Sequence, residues 1–147
     1  MRILLLLLIF CYTQSTSLGA DDVPYVHEKE LKHKVECLAK NIYHEARSES
    51  LRGQLAVAHV TLNRVDSGRY SSSLCGVVYQ RNQFSWTQNP PVISNVSLYK
   101  KIKVLAYDVI MGKTTDPTRG ALSFHNKTVD PGWKKSPKIV IDNHIFY

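Results

Sequence analysis

The chain is poor in the signatures that announce most enzyme chemistries. It has only three cysteines in 147 residues, and none stands in a CxxC pair, so neither a zinc ribbon nor a dithiol redox motif is available. No GxSxG elbow occurs, which removes the common serine-nucleophile turn, and no P-loop occurs to cradle phosphates. His44-Glu45 opens like the HExxH pattern of zinc proteases, but position 48 is Ser48 and the second ligand is missing. The six histidines show no other ligand spacing. No metal and no cofactor is therefore expected. Internal repeats, low-complexity tracts and a second domain are also lacking.

What is present begins with a targeting pattern. Arg2 is a short basic region, Ile3 to Tyr12 is an apolar run, and Ser17-Leu18-Gly19-Ala20 supplies small residues before Asp21-Asp22. Residues 1–20 read as a secretory signal peptide, too short for a comfortable membrane span, with an uncleaved anchor as the alternative. Cys11 lacks a lipoprotein context. Cleavage would remove only Arg2 from the 19 Lys and Arg set against 12 Asp and Glu, so the exported chain stays basic. A basic exported protein attracts anionic partners, for which cell-wall polymers and lipid headgroups suit that location better than nucleic acid. Cys37 and Cys75 remain, and in an oxidising compartment such a pair forms a disulfide. A cysteine nucleophile would compete with that bond.

Residues 21–30 are polar, contain Pro24, and read as a leader arm before a single domain spanning residues 31–147. Leu31, Val35, Leu38, Ala39, Ile42 and Ala46 recur at helical spacing and predict a helix from near Leu31 to near Ser48. A second helix is predicted from Leu51 to Val65 with Ser50 as its cap, and a short third over Ser71 to Tyr79. Asn95 caps a helix from Val96 to Met111, whose outer face carries Lys100, Lys101 and Lys103. Ala121 to His125 and Ile139 to Asp142 read as short extended segments. The fold class is mainly α with a few short strands.

Two features carry chemistry. Glu45 projects from the edge of the first helix's apolar stripe, where an unpaired carboxylate would hold its proton and suit general-acid work. An ion pair with Arg47 or Arg52, or a turn out to solvent, is the plain alternative. Glu49 follows four residues later and would share that face if the helix continues, giving a paired-acid site or an ion pair with Arg52 or Arg47. The second feature is the loop from Gln80 to Val92, where Gln83, Phe84, Ser85 and Trp86 combine amides with rings. Sugars are held by such sets, although one buried aromatic anchor in a surface loop reads the same way.

The ordered set of motifs resembles the SleB/CwlJ family of cell-wall hydrolases. It comprises Cys37-Leu38-Ala39, Ile42-Tyr43-His44-Glu45-Ala46-Arg47-Ser48-Glu49, Gly53-Gln54-Leu55-Ala56-Val57-Ala58 and Leu62-Asn63-Arg64-Val65. Val77-Val78-Tyr79-Gln80, Gln83-Phe84-Ser85-Trp86, Gly120 to Asn126, Trp133 and His144-Ile145-Phe146-Tyr147 follow. The resemblance implies a lysozyme-like, mainly helical α+β domain that cuts the β-1,4 bond between N-acetylmuramic acid and N-acetylglucosamine in peptidoglycan. It places the catalytic acid on Glu45. Tyr43, Gln83, Phe84, Ser85 and His125 are the cleft candidates, and Asn63 is expected to be a buried organiser of the helix junction. Ser123 stands where many relatives carry an aromatic. The expected reaction is that of a lytic transglycosylase working with one Glu. The alternatives are a hydrolytic muramidase that adds Glu49 as a second carboxylate, and a non-catalytic peptidoglycan-binding protein. A separate wall-binding module is not expected, nor is a role in spore germination. The partner is the glycan strand, the protein is expected to be a monomer, and its place is the periplasm or the cell wall. The sequons Asn95-Val96-Ser97 and Asn126-Lys127-Thr128 matter only in a eukaryotic secretory pathway.

Overall fold

The computed structural model describes residues 22–147, so the signal-peptide reading and Cys11 lie outside the described residues. Four α-helices and a small sheet follow in order: α1 (Asp22–Ala46), α2 (Leu51–Asp66), α3 (Leu74–Val78), α4 (Val96–Ile110), β1 (Phe124–Asn126), β2 (Ile139–Ile141) and β3 (His144–Phe146). A single 3-10 turn, Ser85–Thr87, lies in the loop between α3 and α4.

The first helix is longer at its start than the apolar stripe predicts. Residues 22–30 are its opening turns rather than a leader arm. Pro24 falls in the first turn, where its missing N–H costs nothing. Beyond it Glu28–Lys32 and Glu30–Lys34 pair one turn apart at 2.7 and 2.6 Å, with the acid on the N-terminal side, the favourable order. The helix also stops earlier than predicted, at Ala46, whose carbonyl accepts the Glu49 N–H across a turn. Ser50 then caps α2 by accepting the Gly53 N–H, Ser73 caps α3 and Asn95 caps α4.

Two apolar clusters share α2. On one side Leu38, Ile42, Tyr43, Val78, Phe84, Trp86 and Ile102 bring α1, α3 and α4 together with the α3–α4 loop. On the other, Ala56 and Val60 pack against Ala121, Ile141 and Phe146 beneath the sheet. The sheet is antiparallel in the order β1-β3-β2, with Phe124 opposite Phe146 and Ile141 opposite His144. Cys37 and Cys75 form the expected disulfide and tie α1 to α3, their Cα atoms 5.4 Å apart.

The β2–β3 turn is Asp142-Asn143, with Asp142 in the left-handed region at φ 48°. Its carboxylate accepts from Ser50 N and Oγ at 2.9 and 2.6 Å, while Asn143 donates through N and Nδ2 to Glu49. The hairpin turn is thereby clamped onto the loop that joins α1 to α2. Among the described residues no helix is long and apolar enough to cross a membrane.

Candidate active site

Glu45 sits in the last turn of α1, half-buried, four residues after Asn41. Asn41 is fully buried and anchors the junction. It donates to Thr61 Oγ1 of α2 at 3.1 Å and accepts from Trp86 Nε1 at 3.3 Å. One side chain thus registers α1, α2 and the aromatic loop against each other, directly below Glu45. His44 adds a stacked contact with Trp86, ring centroids 4.6 Å apart.

Among the described residues Glu45 makes neither an ion pair nor a hydrogen bond; Arg47 instead reaches back to Tyr43 O and its ring. Burial pushes the Glu45 carboxyl up to about 7, against the opposing pull of Arg64. Its position at a helix C-terminus acts in the same direction as burial, since that end of the macrodipole disfavours negative charge. With a pKa of about 7 the group is partly protonated near neutral pH and can give up and regain its proton in that range.

Arg64, on the buried face of α2, is the residue that sequence reasoning passed over. It is 5% exposed, donates from Nε to Leu122 O at 2.7 Å, and lies over the rings of Tyr70 and Phe84 at 5.1 and 5.2 Å. Its Nη1 is buried without a partner. Burial depresses its pKa, while Tyr70 and Glu45 raise it. A signal was available: Arg64 stands four residues after Val60 and seven after Val57, on the core-facing stripe.

The other predicted residues divide. Phe84 is buried beside Arg64 and packs on Phe124, which makes it the floor of this region. Gln83 is half-buried in the turn before it, and Ser85 is exposed at the start of the 3-10 turn. Tyr43 is only 2% exposed, and its hydroxyl accepts from Asn95 N at 3.0 Å, so it braces α4 rather than lining a cleft. His125 joins a separate aromatic group, bonded to Tyr147 Oη at 2.8 Å and edge-on to Trp133. Glu49 does not share a helix face with Glu45, because α1 ends at Ala46; its carboxylate is engaged by Asn143 instead. Asn63 organises a junction, but one with a loop: it donates to Asp116, Thr118 and Ala121. One His/Cys group clusters closely, His33 with Cys37 and Cys75, and both of its sulfurs are committed to the disulfide.

The four helices with a small antiparallel sheet on α2 form a lysozyme-like fold, the class of the solved catalytic domains that superpose on it. Residues 48–147 match the cell wall hydrolase family model, and the chain belongs to that family. The match begins three residues after Glu45. The spore cortex-lytic enzyme of Bacillus cereus is 31% identical over 115 residues, covering 76% of this chain and 43% of that protein. The enzyme of the same description from Oceanobacillus iheyensis is 32% identical, covering 76% of this chain and 40% of its own length. The chain thus spans less than half the length of these relatives. Among solved structures, the catalytic domain of the Bacillus cereus SleB protein superposes with a TM-score of 0.63 at 28% identity, covering 77% of this chain and 88% of that one. The catalytic domain of the germination-specific lytic transglycosylase SleB from Bacillus anthracis gives a TM-score of 0.64 at 28% identity, covering 77% and 92%.

Proposed function

We propose that the protein is an exported peptidoglycan glycosidase that cuts the N-acetylmuramic acid–N-acetylglucosamine bond as a lytic transglycosylase, with Glu45 as its single acid and base. The observation that carries this is the half-buried, unpaired Glu45 carboxyl, held near neutrality by burial. A general acid works best with a pKa near the operating pH.

The reaction needs one carboxyl group. Protonated Glu45 gives its proton to the glycosidic oxygen as the muramic C1–O bond breaks, leaving positive charge shared between C1 and the ring oxygen. The resulting Glu45 carboxylate accepts the proton of the muramic C6 hydroxyl. O6 closes on C1, a 1,6-anhydro sugar leaves, and Glu45 is again protonated. No water is consumed. A hydrolase would instead need a second carboxylate to direct water or attack C1. Glu49, the nearest such group in sequence, is engaged by Asn143, which favours the one-acid route. The net positive charge suits an anionic wall polymer, and the apolar N-terminal run suits export to the periplasm or wall.

Digestion of purified peptidoglycan followed by mass spectrometry of the muropeptides tests this. Anhydromuramyl ends are expected from the wild type, and at least a 100-fold loss from a normally folded Glu45→Gln protein. Reducing ends, heavier by one water, would mean a muramidase. No release at all would leave a peptidoglycan-binding protein.

A further inference from the structure

Arg64 separates Glu45 from a second feature. Beyond its contacts with Leu122 and Tyr70 opens a cavity of about 180 Å³, walled by Arg69, Tyr70, Ser123, Lys135, Lys138 and Tyr147. Three of the six are cations, and among the described residues none has a carboxylate within 4 Å. The lysines are nevertheless held in place. Lys138 Nζ donates to Gly120 O at 2.7 Å and Arg119 O at 3.3 Å. Lys135 Nζ donates to Ser123 Oγ at 3.3 Å and lies 4.9 Å above the Trp133 ring. Carbonyls, a hydroxyl and a ring fix an ammonium without cancelling its charge. The Tyr147 main-chain oxygen is taken by the N–H groups of Leu122 and Ser123. The result is a small, open, positively charged pocket with tyrosine walls, its three cations facing solvent.

We propose that this pocket receives a free carboxylate of a peptide stem on the strand being cut, an inference that rests on the glycosidase reading above. Its volume suits the end of a side branch rather than a further stretch of polymer. The branches of peptidoglycan hang from muramic acid, the sugar whose C1 Glu45 would attack, and their free carboxyls are its recurring negative charges. The pocket's neighbour Arg64 is the same residue whose charge reaches Glu45, so sugar and stem would be read side by side. Ser123 lines this pocket, and a small residue there leaves it open.

Binding measured without turnover tests the proposal. Soluble glycan fragments with intact stems, and the same fragments with their carboxyls converted to methylamides, are titrated into the Glu45→Gln protein by calorimetry. The titration is repeated with Lys135→Gln and Lys138→Gln added. Amidation is expected to weaken binding roughly fivefold in the first protein. The lysine changes should cost as much with native fragments and nothing further with amidated ones. Equal losses on both fragments, lysine-dependent binding that survives amidation, or no binding of native fragments would overturn it. Turnover of whole walls by the wild type reports separately on the glycosidase. Cleavage with charge-indifferent binding sinks only the subsite, and charge-dependent binding without cleavage sinks only the glycosidase.

Discussion

The chemistry at Glu45 is set by two neighbours of opposite influence. Burial raises its pKa to about 7, and the buried Arg64 guanidinium restrains that rise. In the proposed reaction the acid enters protonated, so activity should be complete below that value and lost as pH climbs through it. A plot of kcat/KM against pH should therefore fall on its alkaline side with a midpoint near 7. Arg64→Met keeps the length of the side chain and removes the charge. With that restraint gone, the alkaline midpoint should move upward, by roughly one pH unit. An unmoved midpoint would show that Arg64 serves packing alone. The half-burial of Glu45 was legible in the sequence, because a Glu on the edge of an apolar helical stripe is an anomaly, although an ion pair with Arg47 or Arg52 read equally well there. Arg64 was passed over because an arginine on a helix is ordinarily read as surface, although it shares the core-facing stripe of Val57 and Val60; the structure shows Leu122 and two rings closing over it.

Among the elements, the junction after α1 matters most for the site. The loop from Arg47 to Ser50 leaves Glu45 and at once meets the β2–β3 turn through Glu49–Asn143 and Ser50–Asp142. Gly53, in the first turn of α2, makes this approach possible. A Cβ there would collide with the Asp142 carboxylate and come within 2.8 Å of Glu49 Cβ. Gly53→Ala, normally a gain inside a helix, should here cost about 1–3 kcal/mol of stability, read from urea unfolding. It should also lower kcat, since the clamp lies next to Glu45. Helix periodicity and capping side chains revealed α2 and α4 almost to the residue. Periodicity failed where other forces decide: α1 extends over residues 22–30 through ion pairs rather than an apolar stripe, and of the strands β2 and part of β1 were read as extended while the three-residue β3 was too short to show alternation. The clamp was invisible for a different reason. Its partners lie 92 and 94 residues apart, and nothing local announces them.

At the scale of the whole molecule, the disulfide and the clamp hold different halves. Cys37–Cys75 closes a separation of 38 residues and secures α3, and with it the start of the aromatic loop, to α1. In the loop-entropy account such a bond contributes about 3–4 kcal/mol. Reduction should lower the urea midpoint accordingly, while the folded fraction keeps its pH profile, because burial and Arg64, not the sulfurs, set the Glu45 pKa. Denaturation curves with and without a thiol reductant, paired with activity below the transition, would check both parts.

The clamp gives the molecule a built-in order of events. A chain made in sequence presents Glu45 before Asp142 and Asn143 exist. Until then the loop that leaves Glu45 has no partners for Glu49 and Ser50. It takes its clamped shape once the β2–β3 turn is in place. A glycosidase of the kind proposed would gain the full setting of its acid only with that docking.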